Sequence, residues 1–309
     1  MTDVHSTEVD RRLPLNGEIF LDHIAHFVVD RRAASRALAR AGFAPTPVSV
    51  QVNPDPAGGP PRLTGTGNVT GMLDRGYLEI LFKTADTPLS RDLDAAIARY
   101  PGVHLAAFAV ADAAAMHARL GQAGFRMQPM VEMQRPVETA AGEDIAAFSV
   151  VRLAPGEMPE GRIQALTHRT EHTVWQPRWL EHPNGARGLI DVVIVEEDVQ
   201  EAANRFQRFF DREAKINGFG PAFHLDRGRV QLVDTAAMTR LLPGLRIPGL
   251  PFIAAYGIAT SLLQTTSHLR VGRIPYDWSS KRVIAPFPDE LGTGCWVFVE
   301  AAAALPWRE

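Results

Sequence analysis

Apolar residues recur along the chain in short runs that predict buried β-strands, and three of these runs align without gaps. They are LDHIAHFVVD at 21–30, VHLAAFAVAD at 103–112 and LIDVVIVEED at 189–198. Each run ends in an aspartate and leads into a stretch whose apolar positions lie three or four residues apart. That spacing is typical of an amphipathic helix. The pattern therefore predicts a repeated unit in which a strand is followed by a helix.

The first two copies keep the same spacing beyond the strand. RRAASRALARAGF ends at Phe43 and AAAMHARLGQAGF ends at Phe125, so the two helices are displaced along the chain by as many residues as the two strands. Gly42 and Gly124 stand where the C-terminus of a helix favours a residue with left-handed backbone angles. Both helices are therefore predicted to end at these glycines.

A turn followed by a β-rich run is the second repeated feature. DRGYLEIL at 74–81 matches DRGRVQLV at 226–233, and EGRIQALT at 160–167 is a looser copy. A degenerate fourth unit runs from FIAAYGIAT at 252–260 to GTGCWVFVE at 292–300. The sequence thus predicts an α+β chain of four β-α-β-β-β units arranged as two tandem pairs.

The predicted boundary between the two pairs lies in TVWQPRWLEHPNGARG, where prolines and an Asn-Gly pair favour a connection. We expect residues 1–18 to form a disordered tail because they are polar. Residues 19–176 would form the N-terminal paired module, with the active cavity, and residues 177–309 a degenerate C-terminal module. The latter would be structural or would shape the substrate site.

Composition narrows the class of protein but not its chemistry. Hydrophobic residues make up 46% of the chain and charged residues 22%, as in ordinary soluble proteins. A net charge of −3 and the lack of a Lys/Arg block argue against nucleic-acid binding, and no apolar run predicts a membrane helix. With one cysteine, Cys295, the chain cannot form an internal disulfide or a thiolate metal cluster. We expect a cytoplasmic protein.

A paired β-α-β-β-β unit, with LDH opening its first strand and YLEIL forming its last, resembles the vicinal oxygen chelate superfamily. This superfamily includes glyoxalase I, methylmalonyl-CoA epimerase, fosfomycin and bleomycin resistance proteins, and extradiol dioxygenases. More narrowly, GTGN, GYLEIL, PEGRIQ and WLEHPNGA are similar to a bacterial glyoxalase-like family. The resemblance covers about residues 20–300. It implies two cup-shaped mixed β-sheets flanked by helices, with a divalent metal held between first and last strands.

By position, the resemblance implies His23 and Glu79 as metal ligands. Glu79 is surrounded in sequence by apolar residues, and an unpaired carboxylate buried there would cost several kcal/mol, so a partner is expected. Glu79 is also the catalytic candidate, because a carboxylate ligand that detaches can move a proton in related enzymes. Strand alternation turns His26 to the opposite face, where we expect a packing role.

The second unit departs from the superfamily pattern. Leu105, which cannot bind a metal, occupies the position that matches His23, and Gln164 occupies the position that matches Glu79. His168 lies four residues further along the same predicted strand. Either Gln164 or His168 would therefore complete the metal shell and leave positions open for substrate. Such a ligand set suits Zn, Ni, Mn or Fe(II) without discriminating among them.

Two further residues are candidates for binding substrate. Asn68 in GTGN could direct its amide into the cup, although an Asx turn would explain the same residue. Arg135 in EMQRPVE could bind a carboxylate or phosphate through two parallel hydrogen bonds, or it could simply be solvated.

The C-terminal pair offers poorer ligands. Asp191 and Gln231 occupy the equivalent positions of the third unit, whereas Ala254 and Val297 occupy those of the fourth. Extradiol dioxygenases hold iron in this half through two histidines and a glutamate, and these positions carry no histidine.

These observations favour a metal-dependent lyase or isomerase that acts on a small oxygenated substrate through an enediolate-type intermediate. The alternative, favoured by Leu105, is a metal-free protein that sequesters a small molecule, as bleomycin resistance proteins do. A ring-cleaving dioxygenase is the third hypothesis. A small molecule is the expected partner, and either a monomer or a homodimer is compatible with two paired units in one chain.

Overall fold

The computed structural model describes residues 11–55 and 57–309, so residues 1–10 of the predicted tail lie outside it. Residues 11–18 precede the first strand, and the Arg11 guanidinium donates to the Glu18 carboxylate there. The described residues form two eight-stranded sheets and seven helices. This α+β architecture of paired modules is the one that the sequence predicts.

The first sheet contains the strands of the N-terminal module, and the second contains those of the C-terminal module. The strands of the first are β1 (Ile19–Val28), β2 (Ser49–Asn53), β3 (Arg62–Met72), β4 (Tyr77–Lys83), β5 (Gly102–Val110), β6 (Val131–Thr139), β7 (Gly142–Arg152) and β8 (Arg162–His168). The strands of the second are β9 (Gly188–Val195), β10 (Lys215–Asn217), β11 (Gly220–His224), β12 (Arg229–Val233), β13 (Phe252–Ala259), β14 (Asp277–Trp278), β15 (Arg282–Pro286) and β16 (Cys295–Val299). The helices are α1 (Arg31–Arg40), α2 (Pro88–Arg99), α3 (Ala113–Gln122), α4 (Glu171–Val174), α5 (Val199–Phe210), α6 (Thr235–Leu241) and α7 (Leu262–Val271).

The first sheet closes into a barrel in the order β1-β4-β3-β2-β6-β7-β8-β5. The two units meet at β1 and β5, which pair antiparallel, and again at β2 and β6, where Val52 pairs with Gln134. Within each unit the first strand pairs in parallel with the last, as β1 does with β4 and β5 with β8. The first and last strands of a unit are therefore neighbours, although the chain between them crosses a helix and two strands.

The aspartate that ends each aligned strand caps the following helix. Asp30, Asp112 and Asp198 precede α1, α3 and α5, and each side chain accepts one or two hydrogen bonds from backbone N–H groups of the first helical turn. An acidic cap satisfies donors that a helix leaves unpaired. Gly42 and Gly124 follow the ends of α1 and α3 with φ angles of 83° and 88°, as predicted.

His26 joins the two modules on the outer face of the barrel. Its Nδ1 lies 2.8 Å from the Leu291 carbonyl oxygen and its Nε2 lies 2.8 Å from the Tyr256 hydroxyl. The Trp296 indole N–H donates to that same hydroxyl at 2.6 Å. Burial lowers the pKa of His26 to about 4, so the ring is neutral at physiological pH. The alternation of β1 therefore places His26 away from the barrel interior, as predicted.

The C-terminal segment of the chain covers the face of the second sheet that corresponds to the barrel interior. Trp307 is fully buried, and its indole N–H donates to Asp191 at 2.9 Å. The Arg308 guanidinium binds the same carboxylate through two hydrogen bonds of 2.7 and 2.6 Å. Asp191, which aligns with His23, is thus held by the protein's own side chains.

None of the helices within the described ranges has the length and apolar character that crossing a bilayer requires.

Candidate functional site

His23 and Glu79 meet inside the barrel because β1 and β4 are parallel neighbours. Ala25 pairs with Glu79, so His23 lies two residues from that pair on the same face. His23 Nε2 is 3.8 Å from Glu79 Oε2, and both residues are about 95% buried. Tyr77 stacks on the imidazole with ring centroids 4.4 Å apart. An imidazole and a carboxylate that are distant in sequence therefore face one interior space.

Asp22 fixes the orientation of the His23 ring. The register of β1 against β5 shifts between Leu21 and His23, which leaves Asp22 as an extra residue in β1. The Asp22 carboxylate accepts a hydrogen bond from His23 Nδ1 at 2.8 Å. Because an ionised carboxylate only accepts, Nδ1 carries a proton, and Nε2 is the ring nitrogen that faces Glu79.

His168 on β8, which is separated from β1 by β5 alone, contacts the same carboxylate. Its Nε2 lies 2.9 Å from the second Asp22 oxygen, and its ring packs against Trp175. The predicted metal ligand His168 thus directs this nitrogen to Asp22 and not to Glu79. Its other ring nitrogen is buried without a partner among the described residues.

Asp22 is fully buried between the two imidazoles. Burial alone would raise the pKa of Asp22, but the charge and N–H group of His168, and then those of His23, lower it below the ordinary aspartate value. The carboxylate therefore remains ionised at neutral pH and keeps both rings in place.

Glu79 is held by two amide groups on one of its oxygens. Oε1 accepts a hydrogen bond from Asn68 Nδ2 at 2.6 Å and a longer one from Gln51 Nε2 at 3.3 Å. Thr66 in turn donates to the Gln51 amide oxygen at 2.6 Å. The structure places the predicted residue Asn68 beside Glu79, whose Oε2 is left facing His23.

Gln164 lies in the same transverse layer of the barrel as His23. His23 pairs with Ala107 on β5, and Ala107 pairs with Gln164 on β8. The methyl group of Ala107 leaves space between the two longer side chains. Gln164 Oε1 is buried without a hydrogen-bond partner among the described residues. An unpaired buried oxygen of this kind is costly unless a ligand completes it.

The donor atoms fit a divalent ion with an incomplete protein shell. His23, Glu79 and Gln164 line a cavity of about 20 Å³, which has room for about one water molecule or one ion. Two donors that each lie ~2.0–2.2 Å from one ion can be up to ~4.4 Å apart, and the observed 3.8 Å falls within this limit. In the described part of the chain no cluster contains three or more His, Cys, Asp or Glu side chains placed to hold a metal. Such an ion would therefore depend on the Gln164 amide and on substrate oxygens.

Arg135 on β6 also directs its side chain into the barrel. It is 6% exposed and lines the same cavity as Glu79. The sequence-based reasoning missed two further arginines of this cavity, Arg152 and Arg162. Strand alternation could have identified Arg162, because it lies two residues before Gln164 on β8.

Substituting Asp22 by asparagine is expected to lower the free energy of unfolding by about 1.5–3 kcal/mol at pH 7, because a buried charged hydrogen bond is lost. The Asp22 pKa is lowered in the folded state, so this stabilisation exists above the ordinary aspartate pKa of ~3.9 and is lost as pH falls through the folded value. Urea unfolding from pH 7 to pH 2 measures the difference. The exposed Asp289→Asn variant is the control and should change little. Equal stability of wild type and Asp22→Asn at pH 7 would refute the role of Asp22.

Comparison with known proteins supports the fold. A family model described as a glyoxalase-like domain matches residues 21–210, which is more than half of the chain. No curated protein matches the sequence. Among solved structures, a hypothetical protein from Staphylococcus aureus aligns with a TM-score of 0.63 at 10% identity and covers 91% of this chain and 98% of its own.

Two further solved structures share the fold at low identity. A triple mutant of 4-hydroxymandelate synthase from Streptomyces coelicolor has a TM-score of 0.50 at 16% identity, covering 91% of this chain and 92% of its own. A fusion of a xylose isomerase-like TIM barrel with 4-hydroxyphenylpyruvate dioxygenase has a TM-score of 0.54 at 13% identity, covering 94% of this chain and 50% of its own. At these identities the likeness concerns the fold alone.

Proposed function

Because the chain belongs to the glyoxalase-like domain family of the vicinal oxygen chelate superfamily, we propose that its barrel is a metal-dependent lyase or isomerase site for a small oxygenated substrate. One observation carries the proposal. His23 Nε2 and Glu79 Oε2 lie 3.8 Å apart across an ion-sized cavity, and hydrogen bonds on their far sides hold both groups.

His23, Glu79 and Gln164 are the residues that would hold a divalent ion, of which Zn, Ni, Mn and Fe(II) suit such donors. When bound, the ion would act as a Lewis acid toward a substrate carbonyl or hydroxyl oxygen. Asp22 keeps His23 Nε2 directed at this position. The Gln164 amide oxygen has no competing partner among the described residues.

Glu79 is the residue positioned to move a proton. Asn68 and Gln51 hold its Oε1, whereas Oε2 has no hydrogen-bond donor within the described residues. Oε2 is thus the oxygen that would hold the ion and that, once detached from it, would accept the proton. A proton on the carbon next to a polarised carbonyl becomes acidic enough for a carboxylate to remove it. The apolar side chains of Leu81, Leu105 and Leu166 line the same cavity.

A metal-free binding protein is the second candidate, and Leu105 at a ligand position favours it. The cavity beside His23 measures about 20 Å³, far below the ~300 Å³ at which sites for drug-sized ligands begin. Sequestration of a bulky molecule therefore has less support than turnover of a small one. A dioxygenase-type iron site in the second module also lacks support, because Trp307 and Arg308 bind Asp191.

The proposal is tested by hydrogen exchange in D₂O. Protein purified without chelators is analysed for metal and incubated with α-hydroxy aldehydes, α-hydroxy ketones and α-keto acids of two to six carbons, and loss of the α-proton signal is followed by NMR. We expect about one ion per chain and exchange on at least one compound. Both should be lost in His23→Ala and kept in His172→Ala, whose ring is exposed. A protein that holds no metal after loading and catalyses no exchange would refute the proposal.

A further inference from the structure

Two arginines line both the small cavity inside the barrel and a larger cavity at the end of the barrel. A vestibule of about 220 Å³ lies where α2 crosses the end of the barrel, and Arg152 and Arg162 line both this vestibule and the cavity beside Glu79. The Arg162 guanidinium also lies over the Phe27 ring at 5.4 Å. A molecule that reaches the interior from the vestibule therefore passes two guanidinium groups.

The charges that line the two spaces do not balance. The arginines are Arg99, Arg135, Arg152 and Arg162, whereas the carboxylates are Glu79 and Asp92. Four positive and two negative groups leave a net charge of +2. The vestibule histidine, His104, adds none, since burial lowers its pKa to about 4. A divalent ion would add two further positive charges.

Some of these arginines lack hydrogen-bond or ion-pair partners within the described residues. Arg135, 6% exposed, has no hydrogen-bond or ion-pair partner in the described chain, and Arg152 Nε is buried without one. Burial, together with the charge of Arg162, lowers the pKa of Arg152 to about 9. Arg99 differs, because it donates to the carbonyl oxygens of Pro159 and Pro251. Burying guanidinium groups unpaired is costly, and a ligand with oxyanions would offset that cost.

We infer that the substrate of the proposed site is a small organic dianion, whose carboxylate or phosphate groups bind Arg152, Arg162 and Arg135 while its reacting carbon lies beside Glu79. The inference rests on the proposed function for the location of the reacting end. Planar guanidinium groups bind such oxyanions through paired hydrogen bonds. The vestibule volume, below ~300 Å³, suits a molecule of a few carbons.

Binding to metal-free, dialysed protein tests this inference independently of catalysis. The probes are succinate and 2-phosphoglycolate, with neutral succinamide as the matched control, measured by titration calorimetry and thermal shift at pH 7.5 and low salt. We expect at least one dianion to bind and raise the melting temperature, and succinamide to do neither. A preference between the two dianions identifies the carboxylate or the phosphate as the recognised group.

Variants assign the binding to these arginines. Arg152→Met and Arg135→Met are expected to weaken dianion binding about 10- to 100-fold. Arg152→Lys should bind with intermediate affinity, because lysine keeps the positive charge but cannot form the paired hydrogen bonds of a guanidinium group. The exposed Arg246→Met is the control and should bind as wild type does. Circular dichroism confirms folding of each variant.

Wild type that binds neither dianion, or Arg152→Met and Arg135→Met that both bind as tightly as wild type, would overturn the inference. Metal-dependent exchange together with absent dianion binding would refute the inference and leave the proposed function standing. Dianion binding in a protein that takes up no metal and catalyses no exchange would refute the proposed function and leave the dianion site standing.

Discussion

Replacing Glu79 by glutamine is expected to weaken the binding of Zn²⁺ or Mn²⁺ by at least about 100-fold, since even residues behind a metal ligand contribute 10- to 100-fold. Glutamine has nearly the same size as glutamate, and the Asn68 amide can still donate to its side-chain oxygen. The change therefore removes the charge and a strong ligand atom with little effect on packing. Titration calorimetry on dialysed protein measures the affinity, and the exchange reaction in D₂O should be lost in parallel.

The matched control is Glu138→Gln on β6, because Glu138 is exposed. It should bind metal as tightly as wild type. If Glu79→Gln keeps wild-type affinity, any bound ion is held elsewhere, and Glu79 is not a ligand.

Replacing Trp307 by alanine is expected to lower the free energy of unfolding by about 3–5 kcal/mol, the usual cost of removing a buried tryptophan. The side chain is fully buried, packs with the cluster that contains Val193 and Val297, and donates to Asp191. Its loss would leave a cavity and weaken the pairing of Asp191 with Arg308. The shift of the urea midpoint, at unchanged slope, measures the effect.

Trp278→Ala on β14 is the control, because Trp278 is 63% exposed and should contribute little to stability. If Trp307→Ala lowers the free energy of unfolding by less than ~1 kcal/mol, the C-terminal segment does not stabilise the second sheet by covering its face. Metal binding in the barrel should survive the substitution, since Trp307 does not line the cavity beside His23.

The repeated units could be predicted from the sequence because their determinants are local. The runs at 21–30, 103–112 and 189–198 correspond to β1, β5 and β9, each continued by a helix that its terminal aspartate caps. Helix ends at Gly42 and Gly124 follow from a backbone conformation that glycine adopts without strain. Such signals occupy a few neighbouring residues and need no knowledge of the tertiary contacts.

The surroundings of the site could be predicted less well, because they depend on contacts between distant residues. His168 is predicted as a metal ligand from its spacing to Gln164, but the bulge at Asp22 brings a carboxylate to its Nε2 from 146 residues away. The pairing of Trp307 with Asp191 likewise spans 116 residues. The hydrophobic pattern of the sequence reveals neither a one-residue bulge nor a terminal segment that covers one face of a sheet.

A shared ion between His23 and Glu79 is tested most directly by anomalous X-ray diffraction from crystals grown with Zn²⁺, with data collected on both sides of the zinc absorption edge. We predict one anomalous peak inside the barrel, ~2.0–2.2 Å from both His23 Nε2 and a Glu79 carboxylate oxygen. Zinc found only at surface sites, with the space between these two side chains holding water, would contradict the prediction.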